Sequence, residues 1–560
     1  MFKIPKSIKP IFAGSLIWLT VFFFVYFGSL AIELFQVAEL KSLDTYFNWS
    51  GEKKPSGDIV IVALDNKSMD DIGQWPWPRS VYAKVIDNLK ASGAKVICLD
   101  IDFSSNGAIP GNDKLFAASA KRAGNVVGVS TLTTETRSSG KKGDIKWDEN
   151  KLNMPIDMLN TAFLKTGVTG FELDTDSFVR NCQLAYDHNG ECLYTFAVAA
   201  LSVYRNIPEK DILEEVKKKN SNYKDTLRDK ILVNFSGPQG TFSTYSFSSV
   251  LKNELSPEVF KGKLVLVGST HPVLHDVFSC PYRSSKNNSA ELPGVEIHAN
   301  VINTLLTSNY VVRAGWKFNV FLLALLIAIT TFFSLKLKPI RAIAATMGLF
   351  VFYSIGAILI FSRFNYVVNL ATPLIGVILS FGAGSAYKAV TEGRKKDEVK
   401  KMFQRYVSRD VVEEIMKNPE GLKLGGKRQH MTILFSDIRN FTPMSEGLQP
   451  EEVVELLNEY FTEMNNILFK YRGTLDKFIG DAVMALFGAP YPLPNSEELA
   501  VRTAIEMQEK MKEFRAKLKA EGKNELSIGI GINAGEVIVG NIGSGQQMNY
   551  TVIGDVANTA

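Results

Sequence analysis

At 560 residues the chain holds enough material for roughly three to four domains, which excludes a single small module. With 46% hydrophobic and 22% charged residues it is neither an intrinsically disordered nor a collagen-like chain. Its 63 basic and 58 acidic residues leave a net charge of +5, too even a balance to announce a nucleic-acid partner, and none is expected.

The first element is an uncharged apolar run from Ile11 to Ile32, behind Lys3, Lys6 and Lys9 in a short N-terminus of residues 1–10. A membrane-spanning helix needs about 20 such residues. The triplet Ser29-Leu30-Ala31 keeps a cleaved signal peptide open as the alternative, although the run exceeds the roughly 7–15 residues of a signal peptide's apolar core. Three further runs lie late in the chain, at Phe318–Leu335, Ala342–Ser362 and Tyr366–Tyr387. Lys336, Lys338 and Arg341 flank them in one cluster and Lys388, Arg394, Lys395 and Lys396 in another, whereas the turn at Arg363 carries one basic residue. The positive-inside rule places the basic clusters in the cytoplasm. The expectation is a multi-pass protein of an inner or plasma membrane with four transmembrane helices, residues 33–317 outside, and everything after Lys388 inside.

Within the outside segment, GDIVIVALD, SVYAKVIDNLKASG and AKVICLDIDF read as strand, helix and strand, a βαβ unit that implies a partly parallel sheet. GKLVLVGST supplies a later strand and GVEIHANVINTLL a helix leading towards the second apolar run, so the domain is mixed α/β. All four cysteines fall here. Cys98 sits in an apolar strand and reads as core packing. Cys182 and Cys192 flank a segment that reads as a hairpin turning at Asn189-Gly190, which leaves two alternatives: a disulfide in an oxidising compartment, or two half-buried thiols. His271, His275, Asp276 and His298 lack the spacing of a helical metal pair, and Trp75-Pro76-Trp77-Pro78-Arg79 reads as a rigid packed loop. The strings IVIVALDNKSMDDIGQWPWPRSVYAKVIDNL, GAKVICLDIDFSS, TDSFVRNCQLAY, KLVLVGSTHPVLHDVF and PGVEIHANVINTLL resemble, in order and over nearly the whole segment, the extracytoplasmic sensor domain CHASE2 of bacterial receptors. That family typically precedes three transmembrane helices and a cytosolic output module. Its ligands are generally unknown, so the signal is left open.

Residues 388–428 form the linker. Val399, Met402, Phe403 and Tyr406 make one apolar stripe on a charged helix, which suits a parallel helix pair between two chains or packing on its own domain. Ser408 reads as an N-cap restarting a helix that buries Val411, Val412, Ile415 and Met416.

From Gln429 the pattern becomes HMTILFSDIRNF (strand), PEEVVELLNEYFTEMNNILFKYRG (helix), TLDKFIGDAVMALFG (two strands hinged at Gly480-Asp481), a helix from about Ser496 to Ala520, and LSIGIGINAGEVIVGNIG, read as a hairpin turning near Ala534-Gly535. This βαββαβ order predicts an α+β ferredoxin-like palm for residues 429–560. Asp437 and Asp481 then project from neighbouring points of one sheet edge. Close carboxylates need a cation, and oxygen-only donors favour Mg²⁺ or Mn²⁺. A pair of such ions is what nucleotidyl displacement requires. His430 reads as a strand-edge residue.

LFSDIRNFTPMSE, DKFIGDAVMALFG, GIGINAGEVIVGNIGS and YTVIGDVANTA together resemble the class III nucleotide cyclase catalytic domain. The resemblance implies that Asp437 and Asp481 are metal-binding, with the Ile438 carbonyl as a further ligand. It implies that Lys477 and Thr551 read the purine and that Asn558 positions the ribose. An ammonium can donate to adenine N1 but meets a protonated N1 in guanine, so Lys477 favours ATP. The implied reaction is attack of the ribose 3′-oxygen on the α-phosphorus, giving 3′,5′-cyclic AMP and pyrophosphate. The resemblance also implies a homodimer, with the aspartates from one subunit and Lys477, Thr551 and Asn558 from the other. The family's transition-state arginine follows the asparagine by four positions, and here Asn558 is followed only by Thr559 and Ala560. The expectation is a truncated copy of a longer protein, nearly inactive as it stands. Guanylate cyclase, and a receptor that binds nucleotide or dimerises without catalysis, are the alternatives.

Overall fold

The computed structural model describes residues 9–138, 146–220, 230–283, 289–403, 412, 425–544 and 546–560. The chain divides into two compact units, Met1–Lys388 and Ala389–Ala560.

The first unit begins with helices α1 (Lys9–Ala31) and α2 (Glu33–Ser50), broken at Ile32. Its sheet contains β1 (Ile59–Leu64), β2 (Val96–Asp100), β3 (Val126–Ser138), β4 (Lys146–Asn153), β5 (Lys165–Thr169), β6 (Ser243–Ser246) and β7 (Leu264–Ser269). The order is β6-β1-β7-β2-β3-β4, with β5 also on β3; only the β3–β4 pair is antiparallel. Burial on both faces explains why β1 and β7 are nearly continuous aliphatic runs. Ile59, Ile61, Ala63, Leu264 and Leu266 face one core; Val60, Val62, Leu64, Val265 and Val267 face the other, under α3 (Arg79–Ala91). The Trp75 and Trp77 loop packs there too, its Trp77 Nε1 donating to Gly73 O at 2.8 Å.

Helix α4 (Gly294–Thr307) is buried from Gly294 to Leu305 although five of those residues are polar or ionisable, among them Thr304, whose hydroxyl accepts from the Asn234 amide at 3.1 Å. Each finds work. Glu296 accepts from the Gly240 and Thr241 amides, and Asn300 and Asn303 accept from the Ser236 and Ser56 amides. His298 Nε2 meets Thr169 Oγ1 at 2.8 Å and lies 3.8 Å from Asp100 Oδ1. Burial holds His298 down at about 3 and, with Asp276 nearby, raises Asp100 to about 8. Among the described residues no His, Cys, Asp or Glu group of three could hold a metal ion.

Ala185–His188 and Glu191–Tyr194 pair as a hairpin, with positive φ at Asn189 and Gly190. The disulfide alternative does not survive: Cys192 sits opposite Asp187, Cys182 lies on a different strand pair opposite Ile231, and both thiols are free.

Among the described residues, four helices are long and apolar enough to cross a membrane: α1, α5 (Trp316–Lys336), α6 (Pro339–Phe364) and α7 (Ala371–Phe403). Trp18 of α1 donates to Ala324 O of α5 at 2.9 Å, and Gly384 of α7 lets the helix approach Ser334 of α5, a small-residue contact suited to helices in lipid. The fourth apolar run does not begin as helix. Tyr366–Val367 forms a short strand on Val312–Arg313, and α7 starts only at Ala371.

In the second unit, β8 (Gly425–Ile438), α8 (Pro450–Lys470), β9 (Thr474–Ile479), β10 (Ala482–Phe487), α9 (Ser496–Ala520), β11 (Ile528–Gly543), β12 (Met548–Ile553) and α10 (Asp555–Thr559) follow in order. The sheet runs β9-β10-β8-β11-β12, antiparallel throughout. Helices α8 and α9 cover one face through Leu434, Val483, Ala485 and Phe487. The expected hairpin at Ala534-Gly535 is absent: β11 is one 16-residue strand, and these residues pair with Thr432 and Met431 in mid-ladder. Gly535 serves closeness rather than turning, since a Cβ there would lie 2.9 Å from Val556 Cγ2. In the linker, Val399 and Met402 are exposed and Val412 is buried; Tyr406, Ser408, Val411, Ile415 and Met416 lie outside the described residues.

Candidate active site

Strand alternation on β8 sends Met431, Ile433 and Phe435 to the face opposite the two helices, and Asp437 continues that series at the strand end. Asp481 stands in the β9–β10 turn beside Gly480, whose φ of 64° is the conformation the turn requires. The Ile438 amide donates to Asp481 Oδ2 at 3.2 Å, which draws the turn to the end of β8. Asp481 has its pKa raised, first by burial and then by the charge of Asp437, while backbone N–H donors pull the other way. The same two carboxylates, after burial, help push the Tyr460 phenol up to about 12. Two acids held together at a mutual electrostatic cost, with oxygen donors only, fit a hard divalent cation such as Mg²⁺ or Mn²⁺. His430 is elsewhere on β8, exposed, its Nδ1 3.7 Å from Glu497.

A second group forms around strand β9, where Lys477 pairs with Met484 on the same face of the sheet as Met431 and Ile433. The ladder of β9 on β10 slips between Leu475 and Lys477, a bulge that redirects the side chains around it. Lys477 Nζ donates to Thr551 Oγ1 at 3.1 Å, and Thr551 Oγ1 donates to Asp476 Oδ2 at 2.7 Å. Lys477 Nζ is also 3.6 Å from Asp476, whose side chain is 1% exposed. Burial raises the pKa of Asp476, and Thr551 and Lys477 oppose the rise. Strands β9 and β12 are opposite edges of the sheet. They meet because β12 pairs only with the far half of β11 and packs Val552 with Met431, Met484 and Leu486.

Asn558 stands exposed on α10. That helix lies along glycines of β11: Val556 fills the space at Gly535, and Ala560 that at Gly531, two residues from the Gly529 that pairs with Asp437. The structure therefore brings Asp437, Ile438 and Asp481 together, and Lys477 and Thr551 together, with Asn558 on a neighbouring helix.

The profile of the CHASE2 domain matches residues 17–335, more than half of the chain. The chain belongs to the CHASE2 family. Its residues 426–560 match the adenylate and guanylate cyclase catalytic domain, so the CHASE2 sensor is joined to a class III cyclase domain. Adenylate cyclase 1 of Rhizobium meliloti (strain 1021) is 36% identical over 161 residues, 28% of this chain and 24% of that protein. An uncharacterized protein of Mycobacterium tuberculosis (strain ATCC 25618 / H37Rv) is 35% identical over 175 residues, 31% of this chain and 29% of that one. This CHASE2 chain thus spans under a third of the curated relatives it matches. Among solved structures, the guanylyl cyclase Cya2 is 46% identical over 24% of this chain and 68% of its own, with a TM-score of 0.24. The adenylyl cyclase CyaB from P. aeruginosa is 43% identical over 24% and 70%, also at 0.24.

One residue of the CHASE2 protein's site escaped the reading of the sequence. Asp476 precedes Lys477 on a strand, where adjacent side chains ordinarily point to opposite faces. Only the bulge sets both beside Thr551. Two adjacent charges in an otherwise apolar strand were the available signal.

Proposed function

We propose that this CHASE2 protein is a receptor adenylate cyclase that converts ATP to 3′,5′-cyclic AMP and pyrophosphate at sites shared by two subunits. The observation that carries the choice of ATP is the Lys477–Thr551–Asp476 network. An ammonium fixed by a hydroxyl and a buried carboxylate presents a donor, which complements the unprotonated N1 of adenine and opposes the N–H of guanine.

Asp437, Asp481 and the Ile438 carbonyl are the residues that would hold divalent cations. When bound, Mg²⁺ or Mn²⁺ supplies Lewis acidity and charge neutralisation at the reacting phosphate. The chain's own part is positioning. Asp437 and Asp481 would hold the cations that neutralise the triphosphate, Lys477 and Thr551 select and orient the base, and Asn558 orients the ribose so that its 3′-oxygen lies in line with the α-phosphorus. Homodimerisation follows from the family resemblance, in which the aspartates and the purine readers of one pocket come from different subunits. The sheet order accords with a ferredoxin-like palm, whose open face accepts a second copy. The basic clusters after α5 and along α7 support a cytoplasmic cyclase domain and an external CHASE2 sensor.

The test is full-length protein with Mn²⁺ and either ATP or GTP. Cyclic AMP formation that disappears in Asp437→Ala and Asp481→Ala is expected. A preference for GTP would make the protein a guanylate cyclase, and no product from either nucleotide would make it a non-catalytic receptor.

A further inference from the structure

Helix α2 leaves α1 after a single residue, Ile32, and carries ionisable groups on two sides. At about 100° per residue, Lys41 and Asp44 lie roughly 140–200° around the axis from Glu39. The two sides grip different parts of the first unit.

On one side is a loop of the CHASE2 domain. Arg180 is 1% exposed and is held by three carboxylates. Its Nε and Nη2 donate to Asp44 at 2.6 and 2.8 Å, and its Nη1 donates to Asp174 at 2.9 Å and Asp176 at 2.7 Å. Lys41 adds an ion pair to Asp176 at 2.8 Å. Burial alone would raise Asp176 within this knot, but Arg180 and Lys41 hold it below the ordinary carboxylate range; Asp44 is raised by its burial, against the pull of the same two cations.

On the other side is the beginning of α7. Glu39 Oε1 accepts from the Leu370 amide at 2.6 Å, and Oε2 accepts from both the Thr372 amide and its hydroxyl at 3.1 Å. The Leu370 amide just before α7 and the Thr372 amide in its first turn have no partner within the helix, and a carboxylate is the favoured group at that end. Tyr46 of α2 adds a bond to Val368 O at 2.9 Å. A cavity of about 540 Å³ lies between the two grips, lined by Gln36, Glu39, Asp174, Asn369 and Thr372 among others.

We propose that α2 is a relay: displacement of the Asp174–Arg180 loop moves Lys41 and Asp44, and Glu39 on the same helix carries the motion to the first turn of α7. Helix α7 is the segment that continues through its apolar span to Phe403, so its N-terminal anchorage is where an outer event can enter it. The role as a signalling relay rests on the receptor reading above. The mechanical coupling is a property of the first unit alone.

Hydrogen–deuterium exchange of the full chain in lipid nanodiscs tests it without any stimulus or nucleotide. Glu39→Gln removes the charge and one acceptor oxygen and is expected to speed exchange of the Leu370 and Thr372 amides about tenfold. Asp176→Asn, in the loop gripped by the far side of α2, is expected to speed the same amides at least about threefold, while the double variant exceeds Glu39→Gln by no more than measurement error. The β1 amides, Ile59–Leu64, report whether the fold has held. If Asp176→Asn loosens them, Lys41→Met is read by the same criterion, since Lys41 is on the rim of the knot. Unchanged Leu370 and Thr372 exchange in the knot variant, or effects of the two sites that simply multiply, would overturn the relay and leave Glu39 a local cap. Because this readout ignores turnover, failure of the cyclase reading leaves it intact, and failure of the relay leaves the cyclase reading intact.

Discussion

Replacing Asp476 by Asn probes whether Lys477 works alone or as part of a set. The substitution keeps the shape of the side chain and removes its charge. Thr551 Oγ1 then loses a charged acceptor at 2.7 Å, and Lys477 loses the carboxylate 3.6 Å away. Hydrogen bonds to charged groups contribute about 1.5–3 kcal/mol. The Lys477 side chain is 38% exposed, so solvent screening confines its share to the lower end, and about 1.5 kcal/mol overall is the working figure. That corresponds to roughly a tenfold fall in kcat/KM for ATP. GTP, which gains nothing from a fixed ammonium, should fall less, so the ATP:GTP ratio drops by nearly the same factor. The assay is initial-rate formation of both cyclic nucleotides by full-length protein with Mn²⁺. Stability should not suffer, because the raised pKa of Asp476 shows that burial of its charge opposes the fold. A variant with unchanged kcat/KM and unchanged nucleotide preference would refute the argument that Asp476 orders the purine reader.

Other outcomes follow from the same geometry. Asp100 is raised to about 8 against an unfolded value near 4, so the stability it contributes is fully present below about pH 4 and is lost as pH rises to about 8; Asp100→Asn should therefore raise the melting temperature of the first unit progressively between about pH 4 and pH 8 and by a constant amount above that, and a pH-independent difference would contradict this. Gly535→Val places atoms where Val556 Cγ2 already lies 2.9 Å from a Cβ, and should cost about 1–3 kcal/mol and weaken nucleotide binding by displacing α10, read by fluorescent-nucleotide titration; full affinity would show that α10 tolerates the shift. Proline at Phe403 or Tyr406 should abolish or uncouple turnover in the full-length protein, and unaltered regulated turnover would reject helix pairing in the linker.

Much of this architecture is legible in local pattern. The aliphatic runs IVIVAL and LVLVGS announce strands buried on both faces, and Asn189-Gly190 announces a hairpin that forms as read. Where reading failed, the deciding contact was distant in sequence. Gly535 looks like a turn because glycine permits one, but its partner is Val556, and a strand that must accept a helix closely needs the same residue. Cys182 and Cys192 are near in the chain, yet the strand opposite Cys182 comes from Lys230–Leu232. The approach of Asp437 to Asp481 was foreseeable from two acids at a strand end and a hinge. The place of Asp476 was not, because a one-residue bulge leaves no composition of its own. Nor could any spacing have joined Glu39 to Thr372, 333 residues apart.

The β8–β11 ladder pairs fourteen residues without interruption, from Gly425 to Ile438. At about 3.4 Å per residue it is a beam roughly 45 Å long, with Asp437 near one tip and the start of the catalytic domain at the other. A tilt of one degree about Gly425 swings that tip by about 0.8 Å, and misplacement of about 1 Å already lowers rates a hundredfold. If Asp437 and Asp481 act as proposed, control of turnover needs no refolding of the pocket. On that reading, a slight change of pitch at the root of one strand would be enough to bring the aspartates into, or out of, working alignment.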